Sequence, residues 1–234
     1  MNGLLRQSAS TVLILSATVA VAMVAPGQLT PPAPVEVTDV PFPTVGPATV
    51  AVSLLATIGV DGRVSDIQPV DTAGSTPRGD RYAGTLVGYE QNSLDALKRW
   101  KFAPAIDSST QKPVPVPASV TFLYQRQMGL EELPTLNKDR PARSDYVPPM
   151  LREARPLPQY PWNSVGVGAV VLVLEVREDG SVAEVKNIRS VPSLDEPSSN
   201  AVKNWLFVPA RYLGKPVRST ATVAIVYLYR INID

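Results

Sequence analysis

The chain has 234 residues, of which 44% are hydrophobic, so it can bury the core of one or two ordinary domains. Its 22 basic and 21 acidic side chains leave a formal net charge of +1, which provides no bulk attraction to nucleic acid. Cysteine and histidine are both absent. Their absence excludes disulfides, a Ser-His-Asp triad and histidine-based zinc sites.

Residues 1–25 have the pattern of an export signal. Arg6 is followed by an uncharged run, residues 11–25, that is rich in Val, Leu, Ile and Ala. This run is shorter than the roughly 20 residues of a membrane-spanning helix, but it suits the apolar region of a signal peptide. A cleaved signal peptide and an uncleaved inner-membrane anchor both remain open. Either one places the rest of the chain outside the cytoplasm.

Two proline-rich stretches flank the first predicted folded part. Residues 26–40 form one of them, and residues 126–157 form the other. Proline fixes φ and lacks an N–H group, so we expect neither helix nor central strand in these stretches. We interpret the first as an extended tether and the second as a linker.

In the first predicted folded part, residues 41–125, strands, a hairpin and a helix follow one another. Val50–Ile58 and Arg63–Val70 predict two strands, joined by a hairpin at Asp61-Gly62, where glycine accepts the positive φ of a tight turn. Gln91–Trp100 predicts an amphipathic helix, and the last strand, Val114–Tyr124, follows it.

A six-residue motif, Trp-x-Phe-x-Pro-Ala, occurs twice and sets the domain count. Its residues are Trp100, Phe102 and Pro104 in the first copy, and Trp205, Phe207 and Pro209 in the second. Each copy follows a helical pattern and precedes a strand-like one. We expect each tryptophan to anchor its helix on a sheet and each proline to end that helix.

The second predicted folded part, residues 158–234, repeats the same order. Gly180 stands in its hairpin, and we expect Asp195 to cap its helix with Pro197 in the first turn. Strand, hairpin, strand, helix and strand, present twice, predict an α+β protein with two small domains. Each domain is expected to be a three-stranded antiparallel sheet with a helix packed on one face.

Several short motifs of the second copy occur in a fixed order. They are Tyr160-Pro161, Asp179-Gly180-Ser181-Val182, the run Ala201–Ala210 and Gly214-Lys215-Pro216-Val217. Together they resemble the C-terminal domain of TonB, the energy transducer of Gram-negative bacteria. The first copy resembles it more weakly, with Phe42-Pro43 as its aromatic-proline pair.

The resemblance implies a periplasmic module that binds extended peptides of outer-membrane transporters by adding them to a sheet edge. The second strand of the hairpin is the expected receiving edge. Its candidate contact residues are Val182, Glu184, Lys186, Ile188 and Arg189. The charged members of this set are also explained as ordinary charges that protect an exposed edge.

Three departures argue against a force-transmitting TonB. The anchor helix of TonB carries a histidine that this chain lacks, the long Pro-Glu and Pro-Lys rod is missing, and the domain is doubled. We therefore predict a periplasmic protein-binding module that contributes to energy-coupled transport across the outer membrane. Its partner would be an outer-membrane transporter or another periplasmic protein. The alternative is a structural or assembly scaffold whose two domains pair with each other or dimerise, without energy transduction.

We expect no enzymatic activity, cofactor, metal or nucleic-acid partner. The remaining candidates for acid–base chemistry are carboxylates such as Asp61 and Asp179. Both stand in Asp-Gly hairpin turns, where backbone geometry alone explains them.

Overall fold

The computed structural model describes residues 29–43, 46–74, 85–126, 133–136 and 146–228. The predicted export signal lies outside these residues. Within them, no helix has the length and apolar character needed to cross a bilayer.

The described residues fall into a first half, residues 29–126, and a second half, residues 146–228, with the same order of elements. The first half contains β1 (Leu29–Thr30), β2 (Ala33–Glu36), β3 (Thr49–Ile58), β4 (Val64–Gly74), α1 (Leu86–Arg99), β5 (Lys101–Ala103), β6 (Ala105–Asp107), β7 (Pro113–Val114) and β8 (Val116–Arg126). The second contains β9 (Tyr146–Val147), β10 (Met150–Glu153), β11 (Gly168–Val176), β12 (Val182–Arg189), α2 (Pro192–Val202), β13 (Leu206–Val208), β14 (Ala210–Tyr212), β15 (Lys215–Val217) and β16 (Ser219–Leu228). The α+β class is confirmed.

One six-stranded sheet, in the order β12-β11-β16-β8-β3-β4, joins the two halves. Each half contributes three antiparallel strands, as predicted. The expectation of two separate sheets is wrong, because β8 and β16 pair in parallel at the centre, from Val120 with Thr222 to Arg126 with Leu228. Both strands are buried along most of their length, so neither is suited to be a solvent-exposed edge.

The parallel pairing places the two helices on opposite faces of the sheet. Phe122 and Ala224 are paired and belong to the core under α1. The next pair, Leu123 and Ile225, belongs to the core under α2. Successive strand residues point to opposite faces, so each central strand supplies both cores. The core under each helix therefore contains residues from both halves.

The proline-rich stretches form short strands that the sequence prediction missed. β1 and β2 pair with β6 and β5, while β9 and β10 pair with β14 and β13. A Pro-Pro pair, 31–32 in the first half and 148–149 in the second, separates the two short strands in each case. Short edge strands tolerate proline at their ends, where no ladder hydrogen bond is needed. The repeated Pro-Pro pair is the sequence feature that could have indicated these short strands.

Both helices begin earlier in the chain than the sequence predicted. α1 begins at Leu86 instead of Gln91, and Tyr89 in its first turn is fully buried. α2 begins at Pro192, whose fixed φ suits the first helical position. Asp195 is therefore not the N-cap. Asp195 is a residue of the helix itself, and its Oδ1 accepts a hydrogen bond from the N–H of Val191 at 2.8 Å. Pro197 also lies within the helix.

Candidate functional site

β12 forms one edge of the six-stranded sheet and pairs with β11 on one side only. All five predicted contact residues lie on this strand, because it spans Val182–Arg189. Glu184 and Lys186 are exposed. Val182 packs against the core under α2, and Ile188 packs against the core under α1. The strand is thus half-buried at both ends and at Val185, and it exposes Glu184, Lys186 and Asn187 to solvent.

The end of β12 is covered by the first half of the chain. The Arg189 guanidinium pairs with the carboxylate of Asp39. Val40, next to Asp39, is buried in the same core that Ile188 contacts. Register shifts in the β11–β12 ladder occur at Ala183 and Ile188. The most regular part of the edge therefore runs from Glu184 to Asn187.

β4 forms the opposite edge of the sheet and is less regular than β12. It carries Pro69, which has no N–H to donate, and Asp66 has a positive φ of 48°. Its ladder with β3 has two register shifts, as does the β11–β12 ladder, so bulges do not distinguish the two edges. Proline within a strand discourages pairing with another strand. Proline and a positive φ are both absent from β12, so of the two edges it is the better template.

The Asp-Gly hairpin of each half docks on the Trp-x-Phe-x-Pro-Ala motif of the same half. Phe207 N–H donates to the Gly180 carbonyl at 2.9 Å, and Phe102 N–H donates to the Gly62 carbonyl at the same distance. Gly180 and Gly62 have φ of +85° and +75°. A Cβ on them would lie 2.0 Å and 1.9 Å from the phenylalanine carbonyl oxygen. The hairpin and the Trp-x-Phe-x-Pro-Ala motif are far apart in the sequence, but each therefore constrains the position of the other.

The motif tryptophans are buried, as expected, but the prolines do not end the helices. Trp100 and Trp205 are at most 1% exposed. α1 and α2 end at Arg99 and Val202, before the tryptophans. Pro104 and Pro209 instead separate short strands, β5 from β6 and β13 from β14. Trp205 Nε1 donates to the Pro156 carbonyl at 2.8 Å, whereas Trp100 Nε1 has no partner among the described residues.

A buried serine–tyrosine pair holds each helix to the last strand of its half. Ser93 Oγ lies 2.8 Å from Tyr124 Oη, and Ser198 Oγ lies 2.8 Å from Tyr227 Oη. Burial raises the pKa of both tyrosines well above its ordinary value, against the opposing effect of the serine hydrogen bonds. The sequence prediction missed this pair, although the two serines are separated by the same number of residues as the two motif tryptophans.

Aromatic contacts explain the Tyr160-Pro161 and Phe42-Pro43 pairs. The Tyr160 ring lies 5.8 Å from the Tyr227 ring, and the Phe42 ring lies 5.3 Å from the Tyr124 ring, both edge to face. Such contacts are worth about 0.5–1.5 kcal/mol beyond the area they bury. These aromatic residues are therefore part of the core and do not line the β12 edge.

The hairpin carboxylates act within their turns. Asp179 Oδ1 accepts hydrogen bonds from the Ser181 hydroxyl at 2.6 Å and from the Ser181 N–H at 2.9 Å. These two bonds lower the pKa of Asp179. Asp61 Oδ1 accepts from the Arg63 N–H at 3.0 Å. In the part of the chain that the structure describes, no group of three or more acidic side chains is arranged to hold a metal ion.

The family model of the Gram-negative bacterial TonB protein C-terminal matches residues 158–228. This segment contains every element from β11 to β16, and thus the edge strand β12. No curated protein matches the chain. The second half is therefore similar to a TonB-type C-terminal domain, in line with the resemblance found in its motifs.

Proposed function

We propose that the second half is a periplasmic protein-binding module that adds an extended peptide of an outer-membrane transporter to β12. The observation that carries this proposal is the position of β12, an outermost strand inside the segment that matches the TonB family. An edge strand offers unpaired N–H and C=O groups that an extended segment can pair with. We also propose that residues 1–25 direct export and either leave the mature protein or anchor it in the inner membrane.

The first half limits how much of β12 a partner can use. Asp39 holds Arg189, so we place the peptide on Val182–Asn187. Six residues in a strand span about 20 Å. Glu184 and Lys186 have opposite charges and face away from Val185, which packs against the α2 core. A peptide with a basic and an acidic residue two positions apart would match them.

A titration of the full chain with such a transporter peptide tests the proposal. We expect backbone amide NMR shifts concentrated on Val182–Asn187. Exchanging both charges, Glu184→Lys with Lys186→Glu, should weaken binding by roughly 5- to 30-fold, because two attractive cross-strand pairs become repulsive. Gln68→Lys on β4 is the matched control and should leave affinity unchanged. The absence of shifts on β12, or an equal effect of the control, would reject this site.

The second candidate is an assembly module without a role in energy transduction. It is favoured by the parallel pairing of β8 and β16, through which the halves pair with each other. A second copy would add to β12 or β4, giving a homodimer with a continuous sheet. Sedimentation equilibrium across a wide concentration range measures this directly. A protein that stays monomeric throughout would rule out the dimer.

A further inference from the structure

The two central strands separate at one end of the sheet. Their pairing begins at Val120 with Thr222. Before that point, residues 116–119 of β8 pair only with β3, and residues 219–221 of β16 pair only with β11. On each strand, the backbone edge that faces the gap therefore has no strand partner among the described residues.

A cavity of about 510 Å³ occupies this gap. One wall of the cavity comes from the first half, at the small sheet β1-β6-β7. It is formed by Leu29, Pro31 and Ala105. Tyr146 and Val217, from the small sheet β15-β14-β9, form the opposite wall. The Tyr146 hydroxyl lies 2.6 Å from Ser219 Oγ, which ties this wall to β16. The cavity is built by both halves and by the strands in the proline-rich stretches.

We propose that this cavity, here called the fork site, binds an extended polypeptide segment that inserts between β8 and β16. Strands in a sheet lie about 4.8 Å apart, stacked sheets lie about 10 Å apart, and a strand residue rises about 3.3 Å, so one extended residue occupies about 160 Å³. The volume of 510 Å³ accommodates about three such residues. Extended beyond the paired part, the same register sets residues 117–119 opposite residues 219–221, three on each strand.

The lining indicates which side chains the inserted segment carries. Ala105, Ala118 and Val217 present short apolar groups to the cavity, which favour small apolar residues. At the rim, Arg218 Nη1 pairs with Glu175 Oε1 at 2.9 Å. Glu178 is exposed and makes no ion pair within the described part of the chain, so it is available to a basic residue. The segment is therefore about three small apolar residues followed by lysine or arginine.

The fork site is separate from the β12 edge. β16 is two strands away from β12, with β11 between them, and β8 lies one strand further. Occupation of one site leaves the other accessible. The fork proposal therefore does not depend on peptide binding at β12.

The probe is a capped hexapeptide, Gly-Val-Ala-Val-Lys-Gly, titrated into the isotope-labelled full chain. We expect amide shifts at Ala118, Ser119, Ser219 and Thr220, and a Kd below about 1 mM. A peptide of the same sequence, N-methylated at its alternate amides, keeps the apolar surface but loses main-chain donors. Its affinity should fall at least about tenfold, because strand insertion requires those hydrogen bonds.

Two variants localise the interaction. Thr220→Phe places a ring in the cavity and should reduce affinity at least about tenfold. Glu178→Lys, on the exposed rim, should weaken binding of the lysine peptide about 3- to 10-fold and improve binding of a glutamate peptide. Glu196→Lys, at an exposed position of α2, is the matched charge control and should change neither. Equal binding of the N-methylated peptide, shifts confined to β12, or no binding at millimolar peptide would each overturn the proposal.

Discussion

The contact between the Asp-Gly hairpin and the motif phenylalanine predicts a large cost for Gly180→Ala. The alanine Cβ would stand 2.0 Å from the Phe207 carbonyl oxygen, so the turn has to move away. That movement breaks the 2.9 Å bond from Phe207 N–H to the Gly180 carbonyl. Leaving such a group unpaired costs about 1–3 kcal/mol, and the positive φ of an alanine costs about 1–2 kcal/mol more. We expect a total loss of about 2–5 kcal/mol in the free energy of unfolding.

Gly214→Ala is the matched control for this substitution. Gly214 also has a positive φ, +77°, but a Cβ there meets no atom within 4 Å. It should therefore cost only the φ term, about 1–2 kcal/mol. Both changes reduce the entropy of the unfolded chain equally, so this effect cancels in the comparison. The difference between Gly180→Ala and Gly214→Ala, about 1–3 kcal/mol, isolates the close contact.

Urea unfolding followed by tryptophan fluorescence measures both variants. We expect a lower midpoint at an unchanged slope, since the folded surface is the same. Gly62→Ala should repeat the result of Gly180→Ala, because its Cβ would lie 1.9 Å from the Phe102 carbonyl oxygen. If Gly180→Ala is no more destabilising than Gly214→Ala, the close contact with Phe207 does not contribute to the cost.

The remaining predictions concern the two buried helix anchors. Trp205→Phe should cost about 1–3 kcal/mol more than Trp100→Phe in urea unfolding, because among the described residues Trp205 Nε1 has a partner, the Pro156 carbonyl, to leave unpaired and Trp100 Nε1 has none. Equal losses would contradict this. Tyr124 and Tyr227 have pKa values raised by burial, so their stability contribution is complete below about pH 10 and falls as pH rises and the unfolded chain ionises first. Between about pH 10 and 12 the decrease in the free energy of unfolding should reach about 1.4 kcal/mol per pH unit for each tyrosine. In a variant with both tyrosines replaced by phenylalanine, the pH slope of this free energy should be shallower by up to about 3 kcal/mol per unit. Identical slopes in the two proteins would contradict the prediction.

Whether β12, the proposed receiving strand, lies at an edge of the sheet depended on which strands joined. The resemblance to TonB indicated β12 as an edge in an isolated domain. In this chain, pairing of the two halves through their hairpin strands would have buried it. The halves instead join through β8 and β16, which leaves β12 and β4 outermost. The resemblance predicted this strand as the binding edge, and the tertiary structure leaves it at the edge of the sheet.

The sequence by itself determined the features that depend on near neighbours. The Asp-Gly turns, the helical patterns and the antiparallel three-strand order of each half follow from local φ preferences and from the spacing of apolar residues. The burial of Trp100 and Trp205 follows from the same spacing. These signals act within a few residues, so they can be read along the chain.

Only the tertiary structure decided the features that depend on distant partners. The parallel pairing of β8 with β16 joins residues about 100 positions apart, and alternation along one strand does not identify its neighbour. The continuous apolar run Val223–Val226 indicated that both faces of this strand are buried, but it did not identify the elements that cover them. The short strands in the proline-rich stretches form because β5, β6, β13 and β14 offer them open edges. Those edges exist only once each half has folded.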